Sequence, residues 1–112
     1  MKGIGGNLTG TLQTCAVAKN AIGEGVKTWT DAQTLRGWLD LSGGSSDYTA
    51  FSAKVQESTH VFLSDYVPLA EDIRPENSRM VIGGKHYDVM LIDDPMELHE
   101  QLEIYLKYTG GA

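Results

Sequence analysis

One cysteine, three prolines and nine scattered basic residues set the first limits on this chain of 112 residues. A lone Cys15 excludes an intramolecular disulfide and any multi-cysteine metal site. It reads most simply as a small apolar strand residue, since no partner that would activate a thiol is identifiable. No stretch reaches the roughly 20 apolar residues needed to cross a bilayer as a helix, so no membrane partner is expected. The opening, Met1-Lys-Gly-Ile-Gly-Gly6, has no apolar core of a secretory signal. The chain is therefore expected to be made and kept in a cytoplasm, or in something assembled there. Lys and Arg never occur side by side and are outnumbered by acidic residues, for a net charge of −6. Tight non-specific binding to nucleic acid needs clustered basic side chains that displace counterions, and this composition does not provide them.

What is present is ordinary globular material rich in glycine. Hydrophobic residues make up 41% and charged residues 21%, which argues against wholesale disorder. A single domain of this length buries roughly 65% of its unfolded surface, enough for one core without disulfides or metals. The glycines fall near the two ends and around residues 23–25, 37–44 and 83–84, where turns or loops would use them.

Period-2 alternation dominates the readable segments. Residues 1–10 are glycine-rich and predict a flexible arm. Thr11–Lys19 predicts a strand, ended by the turn Asn20-Ala-Ile-Gly-Glu-Gly25. Val26–Leu41 predicts one long bent strand or two strands, with the irregularity at Asp31-Ala-Gln33; Leu35, Leu39 and Leu41 share one face, and Arg36, Trp38 and Asp40 the other. Asp47–Gln56 admits a short helix capped by Asp47, with Tyr48, Phe51 and Val55 on one side, or a disordered loop. Thr59–Val67 is a strand stopped by Pro68, followed by an acidic connector to Asn77. Ser78–Ile82 and Lys85–Asp93 form a hairpin around Gly83-Gly84, a pair suited to the positive φ angles of a tight turn. Near Met90 and Ile92 both faces of the returning strand become apolar, as in a strand covered on both sides. Asp94-Pro-Met-Glu97 predicts a capping box opening one or two helical turns, through about Gln101. Leu102, Ile104, Leu106 and Tyr108 then alternate in a final strand. The expected fold is all-β: a small antiparallel barrel or sandwich of five to six strands, with a long loop between the second and third strands and one short helix near the C-terminus.

Chemistry-bearing constellations are weak. Asp93, Asp94, Glu97, Glu100 and Glu103, with His99 among them, are the best hard-cation candidates, but the spacing is not an EF-hand loop and reads as a cap and a solvated face. His60, His86 and His99 lie on three elements, without helical spacing. No serine stands in a Gly-x-Ser-x-Gly elbow. Ile82-Gly-Gly-Lys85 is explained by a hairpin turn, not by a phosphate cradle. The aromatic residues lack the basic groove of a base-stacking platform and read as core or cross-strand pairs. The expectation is a protein that is no enzyme and holds no cofactor and no metal.

Five segments, in this order, carry a resemblance: Gly23-Glu-Gly-Val-Lys-Thr-Trp29; Ser58-Thr-His-Val-Phe62; Ile73-Arg-Pro-Glu-Asn-Ser-Arg79; Gly84-Lys-His-Tyr-Asp-Val89; and Ile92-Asp-Asp-Pro95 followed by Leu102-Glu-Ile-Tyr-Leu-Lys107. Over residues 11–109 the chain resembles the head-completion or stopper family of phage head–tail joining proteins, closest to its prophage branch. The resemblance implies a small β-barrel in a virion, assembled in the bacterial cytoplasm as a homo-oligomeric ring, a dodecamer. That ring lies beneath the portal and its adaptor protein, closes the DNA channel after packaging, and docks a tail protein. It implies that the loop between the second and third strands faces the channel as a plug. Here that loop consists of Ser42, Gly43, Gly44, Ser45, Ser46, Asp47, Tyr48, Thr49, Ala50, Phe51, Ser52, Ala53, Lys54, Val55, Gln56 and Glu57. A negative surface fits a channel that lets packaged double-stranded DNA pass close by without holding it. Two other readings stay open: a tail-completion or adaptor protein of the same connector, and, from another class, a small ligand- or oligonucleotide-binding β-barrel.

Overall fold

A computed structural model describes residues 3–41 and 58–111. Six strands form one closed antiparallel barrel: β1 (Leu8–Lys19), β2 (Gly25–Leu41), β3 (His60–Asp65), β4 (Ser78–Ile82), β5 (Lys85–Asp93) and β6 (Gln101–Gly111), in the spatial order β1-β2-β3-β6-β5-β4. Closure is completed by β4, which pairs with β1 from Thr11↔Val81 to Thr14↔Ser78. Closing the sheet gives every strand two neighbours around the body and removes the exposed edges that invite aggregation.

The inward faces follow the alternation of the sequence. Leu12, Leu35, Phe62, Met80, Tyr87, Val89, Ile104 and Leu106 form the core, with Ile82 and Ile73 closing it. Each large apolar side chain buried in this way contributes on the order of 1.5–3 kcal/mol. Gly37 is where β2 crosses Phe62 most closely: a Cβ there would collide with the Leu63 carbonyl and the Phe62 ring, and Gly6 rests directly on its backbone. Only residues without a side chain allow that three-layer contact.

Two bulges explain the irregular stretches. Leu12 faces Gln33 while Gln13 faces Asp31, so Ala32 is the extra residue, inside the segment where the alternation of β2 breaks. Beyond it β2 continues as one strand. On β5, Val89 faces Leu106 and Leu91 faces Tyr105, leaving Met90 unmatched. The bulge shifts the phase of the strand, so Val89 and then Ile92 point to the core. Apolar residues on both faces there reflect this phase change, not a covering layer on each side. The Gly83-Gly84 hairpin forms as expected, with φ of 57° and 79°.

The predicted C-terminal helix is replaced by a single 3₁₀ turn, Pro95–Glu97. The seven residues between β5 and β6 do not continue as a helix because the backbone leaves the right-handed region at Met96, Glu97 and His99. Asp94 stands at the N-cap position of this turn without a side-chain cap bond: its carboxylate accepts the backbone N–H of His99 at 3.0 Å and pairs with the His99 ring. Met96, Glu97 and His99 all adopt φ near +55°, the left-handed region that side chains make costly.

The N-terminal segment also departs from expectation. β1 starts at Leu8, and residues 3–7 are tied to the barrel wall. The Asp65 carboxylate accepts the backbone N–H groups of Ile4 and Gly5 at 2.6 and 3.2 Å, the Trp38 indole donates to the Ile4 carbonyl at 2.9 Å, and Arg36 donates to the Gly6 carbonyl at 2.8 Å.

Candidate functional site

The strand directions divide the barrel into two poles. At one pole lie the end of β2, the start of β3, the Gly83-Gly84 turn and the end of β6. The proposed plug segment, Ser42–Glu57, leaves β2 here and lies outside the described residues. What surrounds its exit is described: His60 stands edge-on to Tyr87 at 5.3 Å between ring centroids, and Tyr87 tilts against Tyr108 at 5.4 Å. Thr59 Oγ1 lies 2.8 Å from His60 Nδ1 and accepts the Tyr108 backbone N–H at 2.8 Å. Burial, and then the neighbouring Tyr108, push the Tyr87 hydroxyl above its ordinary pKa, so Tyr87 stays a neutral phenol at physiological pH.

The opposite pole carries two features, one that sequence reading did not assemble and one it met only as an acidic cluster. The first is an arm. β1 and β2 stay paired out to Lys19↔Gly25, but β4 leaves β1 after Thr14 and β3 joins β2 only from Gly37 onward. The outer half of the hairpin is thus a two-stranded ribbon, ~17 Å long at the usual rise per residue, and the molecule extends 52 Å in its longest direction against 30 and 26 Å in the others. Its turn is held by Asn20, whose side-chain oxygen accepts the backbone N–H groups of Ile22 and Glu24 at 3.1 and 2.9 Å. Its root is fixed by the Arg79 guanidinium stacked 4.2 Å from the Trp29 ring centroid, and Gln13 accepts from Arg79 at 2.7 Å. An open cleft of about 470 Å³ separates the arm from the body, between Cys15, Val17 and Trp29 on one side and Glu76, Asp88 and Met90 on the other. Cys15 is half-buried at this cleft, not in the core.

The second feature is an acidic wall. Asp93 and Glu103 are directly opposite one another on the outer face of β5 and β6. Like charges in that position are destabilising. Burial raises the Asp93 pKa first, and the charges of Glu103 and Asp94 add to it. Gln101 and the Tyr105 hydroxyl both donate to Glu103, at 2.9 and 3.0 Å. Burial, that hydrogen bond and the neighbouring carboxylates push the Tyr105 hydroxyl up to about 12.

The acidic candidates do not converge into a metal centre: among the described residues no group of three or more His, Cys, Asp or Glu side chains could hold an ion. The three histidines are separated. His60 packs on Tyr87, His86 lies on β5, and His99 pairs with Asp94 beside the Tyr66 ring, 4.5 Å away. The signal for the arm was present but faint. From Thr14 to Ala18 the large inward residues of a barrel strand give way to small ones, and Val17, Ile22 and Val26 all end exposed.

No family model matches the chain, and no curated protein matches it. Among solved structures the chain is similar to protein SF1141 from Shigella flexneri 2a, determined in solution, with a TM-score of 0.62, 20% sequence identity and 94% of each chain covered. That likeness bears on the fold alone: a small closed β-barrel.

Proposed function

We propose that this protein is a structural connector of a phage or prophage particle, a ring subunit at the head–tail junction that closes the DNA channel and receives the tail. The observation that carries this reading is the layout of the barrel. The connection between β2 and β3, which the family resemblance assigns as the plug, leaves one pole of a closed six-stranded barrel, while a projecting arm occupies the other. A subunit with distinct features at its two poles suits a stack in which one side meets the portal adaptor and the other the tail.

The surface chemistry supports proximity to DNA without adhesion. The chain carries −6; Lys27 is the one basic residue lining the cleft, together with Glu76 and Asp88, and Arg79 is engaged by Trp29 and Gln13. An oligonucleotide-binding barrel would instead need a basic groove lined with exposed aromatic rings. Function in this reading comes from shape and assembly and not from turnover.

The test is genetic and structural. Particles assembled without this chain are expected to package DNA, lose it, and fail to join tails; electron micrographs should lack a ring of density below the portal adaptor. Filled, tailed, stable particles made in its absence would end the proposal. Loss of the tail alone, with heads that retain DNA, would shift the role to tail completion.

A further inference from the structure

We infer that the β1–β2 arm is a self-docking element: the arm of one copy lies on the acidic wall of β5 and β6 in the next. The inference deepens the connector reading and rests on it only for the closure of the chain of copies into a ring.

Within the barrel the roots of donor and acceptor are on opposite sides, while the arm's own Val17 and Lys27 face Asp88 and Met90 of β5 across the cleft. In the circular order β1-β2-β3-β6-β5-β4, the β1–β2 pair is diametrically across from the β6–β5 pair. The arm and the 94–100 connection nevertheless sit at the same pole, because β1 and β5 both run toward it. A molecule that offers one surface on one flank and a different surface on the other, at equal height, associates head to tail. Such heterologous contacts repeat until they close into a ring.

The two surfaces are complementary in charge and alike in apolar content. On the arm, Lys19 and Lys27 are exposed beside Val17 and Ile22, which are 68% and 79% exposed, while Glu24 is engaged by Asn20. On the opposite flank no Lys or Arg stands anywhere between Lys85 and Lys107. Glu97 and Glu100 are exposed there, Asp93 opposes Glu103, and Met96 and Leu98 are 87% and 58% exposed. In an isolated copy Glu103 accepts from Gln101 and Tyr105, but no Lys or Arg on these two strands between Lys85 and Lys107 supplies a counter-charge to the opposed Asp93 and Glu103. Lysines from a neighbour would supply one, and the apolar tips would leave water together. Beyond Thr14 on β1 and before Gly37 on β2, both outer edges of the arm are left unpaired by the chain's other strands, among the described residues. In an acidic protein, a ribbon carrying two lysines and one glutamate between Gln13 and Asp31 is a surface little repelled by a second copy.

The experiment uses the full chain with Cys15→Ser in two preparations. One carries a spin label on Ile22→Cys; the other is isotope-labelled and unmodified at Ile22. Mixed at millimolar concentration, the labelled arm should broaden amide signals of residues 91–105 in the second copy. Lys19→Glu with Lys27→Glu in the arm donor should reduce the broadening at least about tenfold, as expected when like charges are brought together. Glu97→Lys with Glu100→Lys in the acceptor should restore it. Broadening centred on any other surface, or none at all, overturns the inference. The connector reading is judged separately on particles: a ring there whose copies meet through other surfaces would sink the arm interface and leave that reading standing.

Discussion

The barrel body and the arm are built from the same two strands, and they differ in what holds them. From Leu8 to Thr14, β1 has β2 on one side, and along its second half there β4 closes the other; its inward residue Leu12 is completely buried. From Cys15 to Lys19 the same strand keeps β2, loses β4, and exposes Ala16, Val17 and Ala18. Pairing with β2 continues through both halves, and pairing with β4 is confined to the body. The difference lies in the third layer, since a two-stranded ribbon without a packed face is marginal by itself. Here the ribbon is carried by its root, where Trp29 stacks on Arg79 and Gln13 bonds to Asp31 at 2.8 Å. A region that adds little to stability yet keeps a defined turn and exposed apolar residues is suited to contact with something else.

Substitutions on either side of this division should have very different costs. Phe62→Ala empties the centre of the body, where the ring is fully buried against Gly37, and should cost about 3–5 kcal/mol in urea unfolding. A loss below about 1 kcal/mol would mean that the body is looser than described. Excising the arm, with Thr14 joined to Thr30 through Asn-Gly, should leave the barrel folded. The change in stability should be ~1 kcal/mol, chiefly the lost cation–π contact. Collapse of the fold on excision would abolish the distinction between the regions.

The smallest effect should come from the acidic wall. Asp93 holds its proton to higher pH in the folded state than in the unfolded chain. Between those two pKa values the native state binds more protons, so stability falls as pH rises through the mildly acidic range and levels off above it. Asp93→Asn should therefore raise the melting temperature slightly at neutral pH, and this gain should vanish in acid below the unfolded carboxylate pKa. An equal gain at both pH values would assign the effect to packing.

Much of the body was legible because its signals are local. Gly83-Gly84 marks the hairpin by conformational freedom, and Leu102, Ile104 and Leu106 mark the buried face of β6 by alternation. The irregularity at Asp31-Ala-Gln33 was visible as a break in period and proved to be a bulge. Asp94-Pro-Met-Glu97 misled because the Asp94 carboxylate that should cap a helix is taken by His99, and the backbone turns left-handed at Met96, Glu97 and His99. The flexible N-terminal arm expected from its glycines is held at residues 3–7 by Asp65, Trp38 and Arg36, partners distant in sequence. The projecting hairpin was hidden for a related reason: both halves of β1 read as strand, and only the length of β4 decides where the barrel stops.

Hydrogen exchange on the free protein, residue by residue, tests most directly whether the barrel carries the stability and the arm is an appendage kept for contact. Amides of β3 and of the Ile104–Leu106 segment should exchange only through global unfolding. Those of residues 15–19 and 25–29 should exchange far faster, through local opening, while still showing cross-strand pairing. Arm amides as slow as those flanking Phe62 would contradict the account.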